Sequence, residues 1–281
     1  MTGREDALVF DCAGESLVGI LGGAAHAASR GVLIVVGGPN YRAGSGRQFT
    51  LLARRLALSG VPTLRFDYRG MGDSGGDTRT FEHVSEDIRC AVDRFFAAVP
   101  SLRDVVIWGL CDAASAALMY AHSDARVSGL VLLNPWVRTT QGLARVHLKH
   151  YYVRRLFQAS LWQKLARGEF DFRGAASALR RIVVEALGKR RASSSQSERS
   201  FLERMEEGLR GFRGKVLLIL SGNDLTAQEF KDFVAGSKRW QDLLAREEVS
   251  RHDLPEANHT FARHDWRDQV ERWTETWVKA L

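Results

Sequence analysis

Acyl bonds are made and broken by a nucleophile, a base that moves its proton, and an acid that orients the base. Cysteine, histidine and aspartate are one set of side chains that fills those roles, and their placement decides which of them matter. Cys111 stands in Gly109-Leu110-Cys111-Asp112-Ala113, directly after the apolar run 104–108 and at the start of a helical stretch. Strand and helix backbones come close together at a sharp turn, so a bulky side chain at Gly109 or Ala113 would collide there. A thiol at a helix N-terminus is also favoured as thiolate by the helix dipole. By itself the same pentapeptide equally fits a small, buried, inert cysteine.

Two further loops complete the set. Asp224 closes Ser221-Gly222-Asn223-Asp224 after the apolar run 216–220, and His259 lies in Glu256-Ala257-Asn258-His259-Thr260-Phe261 after the run 249–254. Taken singly, Asp224 fits a turn or helix N-cap and His259 an imidazole near one. Taken jointly, three successive strand ends carry nucleophile, acid and base in that chain order. Asp253 and Asp265 are the substitutes if Asp224 is not the acid. His252 falls inside a strand, His264 at the start of the last helix, and His147 and His150 in a basic segment. Ser115 is a full helical turn past Cys111 and should point away from it. Cys12 and Cys90 fall in an opening hairpin and a helix, away from strand ends.

The elements that must position these residues follow from periodicity. Short β-branched runs at 8–11, 17–21, 32–36, 63–67, 104–108, 130–133, 216–220 and 249–254 alternate with helical stretches at 48–58, 81–98, from Cys111 onward, 227–245 and 265–279. Strand–helix alternation of this kind predicts an α/β fold with a mostly parallel eight-stranded sheet. Ligands bind such sheets outside the carboxyl ends of the strands, which is where Cys111, Asp224 and His259 fall. Residues 138–212 show helical patterning without a comparable strand, and 190–200 is a polar, Ser-rich tract. The expected organisation is a core of 1–137 and 213–281 interrupted by a helical, basic lid at 138–212.

Composition narrows the function classes. With 45% apolar and 26% charged residues the chain reads as an ordinary globular protein. Its 3 cysteines, an odd count without metal-ligand spacing, exclude a disulfide scaffold and a cysteine zinc site, and a reducing, cytoplasmic setting is expected. Residues 1–10 have no apolar h-region and no run approaches a membrane span, so neither a signal peptide nor a transmembrane segment is expected. The net charge of +7 is concentrated: residues 138–214 hold 17 Lys and Arg against 7 Asp and Glu, whereas the remainder holds 23 against 26. Nucleic acid would explain such a segment, but no recognition motif interleaves it. Gly70-Met71-Gly72-Asp73-Ser74-Gly75 matches the dinucleotide-binding pattern, though on a later strand and without an acid at a strand end about 20 residues on. A non-catalytic binding module on the same fold would keep the pocket and lose the relay.

Beside these residues stand Gly37-Gly38-Pro39-Asn40-Tyr41-Arg42-Ala43-Gly44-Ser45, Arg65-Phe66-Asp67-Tyr68-Arg69-Gly70-Met71-Gly72-Asp73-Ser74, Trp108-Gly109-Leu110-Cys111-Asp112-Ala113-Ala114-Ser115 and Ser221-Gly222-Asn223-Asp224-Leu225-Thr226. Together they resemble the α/β-hydrolases, and more closely the cysteine-bearing hydrolases associated with the exosortase A system, known as hydrolase 1. The superfamily carries Gly-x-Ser-x-Gly where this chain has Cys111 and Ala113. The resemblance implies an acyl-enzyme mechanism on an ester or thioester, with oxyanion donors at the Gly38 and Asp112 amides, because Pro39 has no N–H. It also implies that the Arg69-Gly70-x-Gly72-x-Ser74 stretch is a structural turn. Neither metal nor organic cofactor is expected. A small acyl substrate, free or carried on CoA or an acidic carrier protein, is the expected partner, in exopolysaccharide production or the processing of sorted surface proteins.

Overall fold

A computed structural model of the chain describes residues 5–23, 28–38, 40–138 and 200–281. Strands β1 (Glu5–Cys12) and β2 (Glu15–Gly22) form the expected hairpin. It is closed by Ala13 and Gly14, both at positive φ (54° and 85°), which is the turn geometry that suits the twist of paired strands. Strands β3 (Arg30–Val35), β4 (Thr63–Phe66), β5 (Asp104–Leu110), β6 (Val127–Leu133), β7 (Lys215–Ser221) and β8 (Val249–Leu254) complete an eight-stranded sheet in the order β1-β2-β4-β3-β5-β6-β7-β8. Strand β2 is antiparallel to both β1 and β4; all remaining pairs are parallel. The chain steps outward from β3 to β4 and returns to place β5 on the other side of β3. The carboxyl ends of β3 and β5, where the order reverses, are where ligands bind in sheets of this kind.

Alternate residues of the inner strands enter two separate cores. Leu33, Val35, Val105, Ile107, Leu130, Leu132, Leu218 and Leu220 face one side, where helices α2 (Ser85–Ala98) and α3 (Asp112–Ala121) lie. Val32, Ile34, Val106, Trp108, Val131, Leu133, Leu217 and Ile219 face the other, under α1 (Gln48–Leu58) and the last helix (His264–Ala280). Burial on both faces is why these strands read as unbroken apolar runs rather than alternating ones. No described helix is long and apolar enough to cross a membrane.

Three expected boundaries shift. The stretch 81–98 is a single 3₁₀ turn (Phe81–His83) followed by α2, with Ile88, Val92 and Phe95 fully buried. The stretch 227–245 is two helices, α5 (Leu225–Ala235) and α6 (Lys238–Leu244), because Gly236 ends the first and Ser237 caps the second. The chain divides into two compact units, 1–137 with 200–281, and 138–199. The lid reading falls almost entirely on the second, and residues 139–199 lie outside the described residues. Residues 200–212, assigned to the lid by periodicity, belong to the sheet-bearing unit instead. Helix α4 (Phe201–Gly211) starts at a capping box of Ser200 and Glu203 and buries Met205, Gly208 and Leu209 against α3. The last helix (His264–Ala280) is α7.

Gly208 marks the crossing of α3 and α4, since a Cβ built there would lie inside the carbonyl oxygen of Leu118. Gly208→Val should therefore force the helices apart and destabilise the fold by roughly 2–3 kcal/mol. Thermal unfolding should show a Tm several degrees below that of the native chain; an unchanged Tm would mean that α4 does not pack on α3 at this point.

Candidate active site

Cys111 joins β5 to α3 with φ 64° and ψ −125°, a conformation that non-glycine residues seldom adopt. Such strain costs on the order of 1–3 kcal/mol and persists only where neighbours hold it. Here the Cys111 N–H donates to the Leu133 carbonyl (2.8 Å), and the Cys111 carbonyl accepts from the amides of Ala114 (3.1 Å), Ser115 (3.3 Å) and Trp136 (3.2 Å). Ser115, fully buried, donates its hydroxyl to the Trp136 carbonyl (2.7 Å), which accounts for its turning away from the thiol. A Cβ on Gly109 would lie 2.7 Å from the backbone of Ala113, and one on Gly37 would lie 2.9 Å from Ala113 N and Leu110 O. Both positions require glycine because three backbone segments converge under the thiol.

Asp224 is both the N-cap of α5 and the hydrogen-bond partner of His259. Its carboxylate accepts from the amides of Thr226 (3.2 Å) and Ala227 (3.0 Å) at the start of α5, while Oδ2 also meets His259 Nδ1 at 2.8 Å. Burial alone would raise its pKa, but His259 and the two helix amides outweigh burial and hold it below the usual carboxylate range. His259 is pushed up to about 10 by its hydrogen bonds to Asp224 and then Cys111, against a burial effect of the opposite sign. That rise favours the protonated imidazole beside the Asp224 carboxylate.

The Gly38 amide is not directed at open space. It donates to Asp112 Oδ2 (2.8 Å), and Oδ1 of the same carboxylate accepts from Ala113 N (3.0 Å). Gly38 has φ +60°, and the missing Cβ of Gly37 leaves the room that Asp112 Oδ1 occupies. The side chain that follows Cys111 thus holds one of the two amides that sequence reasoning assigns to a substrate oxygen. Burial raises the pKa of Asp112, opposed by backbone amides and by the nearby charge of His259. Burial, with the charge of Asp112 in second place, also pushes the Tyr68 phenol up to about 12.

Asn134 escaped sequence reasoning. It lies just beyond β6 with φ 44° and is fully buried. Its Oδ1 accepts from Ser221 N (2.9 Å), its Nδ2 donates to the His259 carbonyl (3.1 Å), and its own amide donates to Ile219 O (3.1 Å). One side chain therefore ties the loop that carries Asp224 to the loop that carries His259. The available signal was a lone amide between an apolar strand and Pro135 at a carboxyl end. Asn223 N donating to Ala257 O (2.9 Å) makes a second tie.

The remaining candidates are engaged elsewhere. His252 stacks on Trp273 at 4.3 Å, and His264 is exposed and paired with Asp268. Asp253 pairs with Arg251 and Lys231, and Asp265 with Arg263. His147 and His150 lie outside the described residues. The glycine-rich loop after β4 closes around Asp67, which is fully buried and bonded to the Arg42 amide (2.6 Å), the Arg42 guanidinium and the Asp73 amide (3.2 Å). Ser74 donates to Asp67 O (2.6 Å) and accepts from Val18 N (2.9 Å). Its amides turn inward and no helix follows until Phe81, so it lacks the helix N-terminus on which a dinucleotide phosphate rests.

The arrangement of this sheet is widely shared. The Pyrococcus furiosus esterase Pf2001 aligns with 99% of the chain and 91% of its own length at TM-score 0.66 and 14% identity. Est1E from Butyrivibrio proteoclasticus, solved with ferulic acid bound, aligns over 98% of both chains at TM-score 0.65 and 16% identity. The α/β-hydrolase GrgF from a Penicillium species aligns with 99% of the chain and 98% of its own at TM-score 0.63 and 17% identity. No curated protein matches the sequence. The pattern of the alpha/beta hydrolase family matches residues 32–273, from the third strand into the last helix, and the chain belongs to that family.

Proposed function

We propose that this chain is a hydrolase or acyltransferase that acts on an ester or thioester through Cys111, His259 and Asp224. The observation that carries the reading is the convergence of those side chains from three strand ends, with His259 bonded to both of the others. In this reading the Cys111 thiol gives its proton to His259, the resulting sulfur anion bonds to the carbonyl carbon and the carbonyl electrons move onto oxygen. Collapse expels the alkoxide or thiolate, which takes its proton from the His259 imidazolium. Water or another acceptor, deprotonated by His259, then attacks the acyl-enzyme and frees the sulfur. The oxyanion faces the amides of Asp112 and of Gly38, once the latter is released. Two of the similar structures are esterases, in agreement with an ester-type substrate.

A thioester suits a sulfur nucleophile, and the charge of residues 138–214 suits an anionic substrate such as a CoA thioester or an acyl group on an acidic carrier protein. Cys12, Cys90 and Cys111 are free thiols, consistent with a reducing compartment. The resemblance of the sequence to the exosortase-associated hydrolases is the support for a setting in exopolysaccharide production or surface-protein processing.

Cys111→Ala should abolish turnover with the fold intact. Cys111→Ser should lose most of it, because a hydroxyl sits farther from the carbonyl and depends wholly on His259 for activation. Iodoacetamide should inactivate at that one residue, while Cys12→Ala and Cys90→Ala retain activity and sensitivity. Asp224→Asn keeps the helix cap, so its loss isolates the orienting role: several hundredfold in kcat, or about 4 kcal/mol of barrier at roughly 1.4 kcal/mol per decade. An active Cys111→Ala overturns the mechanism, and a fully active Asp224→Asn overturns the acid.

If the basic segment recruits the substrate, raising salt should weaken the apparent affinity for an anionic acyl substrate and leave a neutral one unchanged. Identical salt responses would refute that role.

The His259–Asp224 pair also fixes a pH window for stability. The raised histidine contributes stability that is complete below its ordinary value of 6.5 and lost as pH rises through about 10. The lowered aspartate contributes stability present above its ordinary value of 3.8 and lost as pH falls through its depressed one. The Tm advantage of the native chain over His259→Ala should therefore be greatest between about pH 4 and 6.5 and shrink steadily toward pH 10. A difference independent of pH would show that the pair is not ionised.

A further inference from the structure

Asp112 contributes to this site through its side chain as well as its backbone. A single N–H cannot bond fully to two acceptors, and the Gly38 amide already donates to Asp112 Oδ2 at 2.8 Å. An acyl carbonyl that is to use Gly38 must first displace a carboxylate. The displaced group cannot simply be abandoned, because it is a half-buried anion that loses amide partners as it moves, and an unpaired charge in such a place is costly. Something must replace the lost donor. The described surroundings offer few substitutes: Ala113 N is already bonded to the other oxygen, His259 is bonded to Asp224, and the Tyr68 phenol feels the Asp112 charge without a hydrogen bond to its carboxylate.

We propose that Asp112 determines which acyl groups react, by holding the Gly38 amide until a substrate supplies a hydrogen-bond donor, an ammonium or hydroxyl close to the carbonyl, that takes over the carboxylate. The proposal rests on Cys111 being the nucleophile. An aminoacyl or hydroxyacyl thioester meets the requirement; a plain alkanoyl thioester does not. In the productive complex the substrate's N–H or O–H donates to Asp112, Gly38 N–H turns to the carbonyl oxygen, and Cys111 Sγ attacks the carbonyl carbon. The carbonyl electrons move onto oxygen, the adduct then collapses and breaks the old C–S bond, and the departing thiolate takes the His259 proton. The small residue at 37 then has a second purpose, since a Cβ there would overlap the Asp112 carboxylate and prevent the hold.

The test is the rate of adduct formation on Cys111, followed by intact mass and peptide mapping, with N-acetylcysteamine thioesters of propionate, 3-hydroxypropionate and β-alanine. These acyl chains match in length and differ in the terminal donor. The native chain should acylate with the hydroxyl- or ammonium-bearing thioester about tenfold or more faster than with propionyl, the ratio one hydrogen bond to a charged group supports. Asp112→Ala should accelerate propionyl transfer and erase the ratio. Asp112→Asn, which can still accept from Gly38 without a charge, should retain slow propionyl transfer and lose the preference for ammonium. Equal rates for all three thioesters on the native chain overturn the proposal and leave Cys111 as nucleophile. Slower propionyl transfer in Asp112→Ala overturns it in the same way. No adduct on Cys111 with any thioester overturns the nucleophile and this proposal together.

Discussion

The backbone of Cys111 is held at φ 64° and ψ −125°, and most of what is unusual in the upper half of the molecule exists to hold it there. Strain on the order of 1–3 kcal/mol relaxes unless surrounding bonds over-determine the conformation. Leu133 O and Trp136 N grip the peptide from the neighbouring strand end, and glycines at 37 and 109 let three backbones meet below it. The grip is transmitted. The segment 133–136 that clamps Cys111 also contains Asn134, whose amide side chain binds Ser221 N and the His259 carbonyl. Cys111, the Asp224 loop and the His259 loop are thus all tied to one short turn after β6.

Hydrophobic period and strand-end position made the sheet and the Cys111, Asp224 and His259 set legible in the sequence, because both depend on residue types at fixed spacings. Asp224 is instructive: the N-cap and catalytic-acid readings compete on paper, yet one carboxylate makes both sets of contacts, with Oδ2 shared between Ala227 N and His259 Nδ1. What was not legible depended on contacts between distant segments. Helix α4 is charged on most of its surface, so its periodicity matches a lid helix as well as a core one. Only the meeting of Gly208 with Leu118 distinguishes them. Likewise Gly236 and Ser237 are two ordinary residues in an amphipathic stretch until one stops a helix and the other starts the next.

The glycine-rich loop after β4 shows how one spacing serves opposite purposes. In a phosphate-binding turn the glycines let backbone amides approach a ligand. Here Gly72 admits the carboxylate of Asp67, a Cβ at Gly70 would collide with Thr78, and the Ser74 hydroxyl links Asp67 O to Val18 N. The anion that satisfies the loop is the protein's own. Arg42 completes it and so joins the loop after β4 to the segment that follows Gly38.

The same logic recurs at Asp112 with a different consequence. Two internal carboxylates, Asp67 and Asp112, occupy places where comparable backbone would receive a ligand's oxygen. Asp67 has no exposure and is held by an arginine, so it is a permanent part of the turn. Asp112 is half-buried and held by amides alone, beside Cys111 in the chain. In the proposed reaction, negative charge developing on a substrate oxygen next to it would be repelled. A carboxylate fixed there would raise the barrier to acyl transfer, whereas one that exchanges partners as the substrate binds removes that repulsion before the oxyanion forms. The contrast between a guanidinium partner and an amide partner is therefore the physical difference between a structural anion and one that can leave its place.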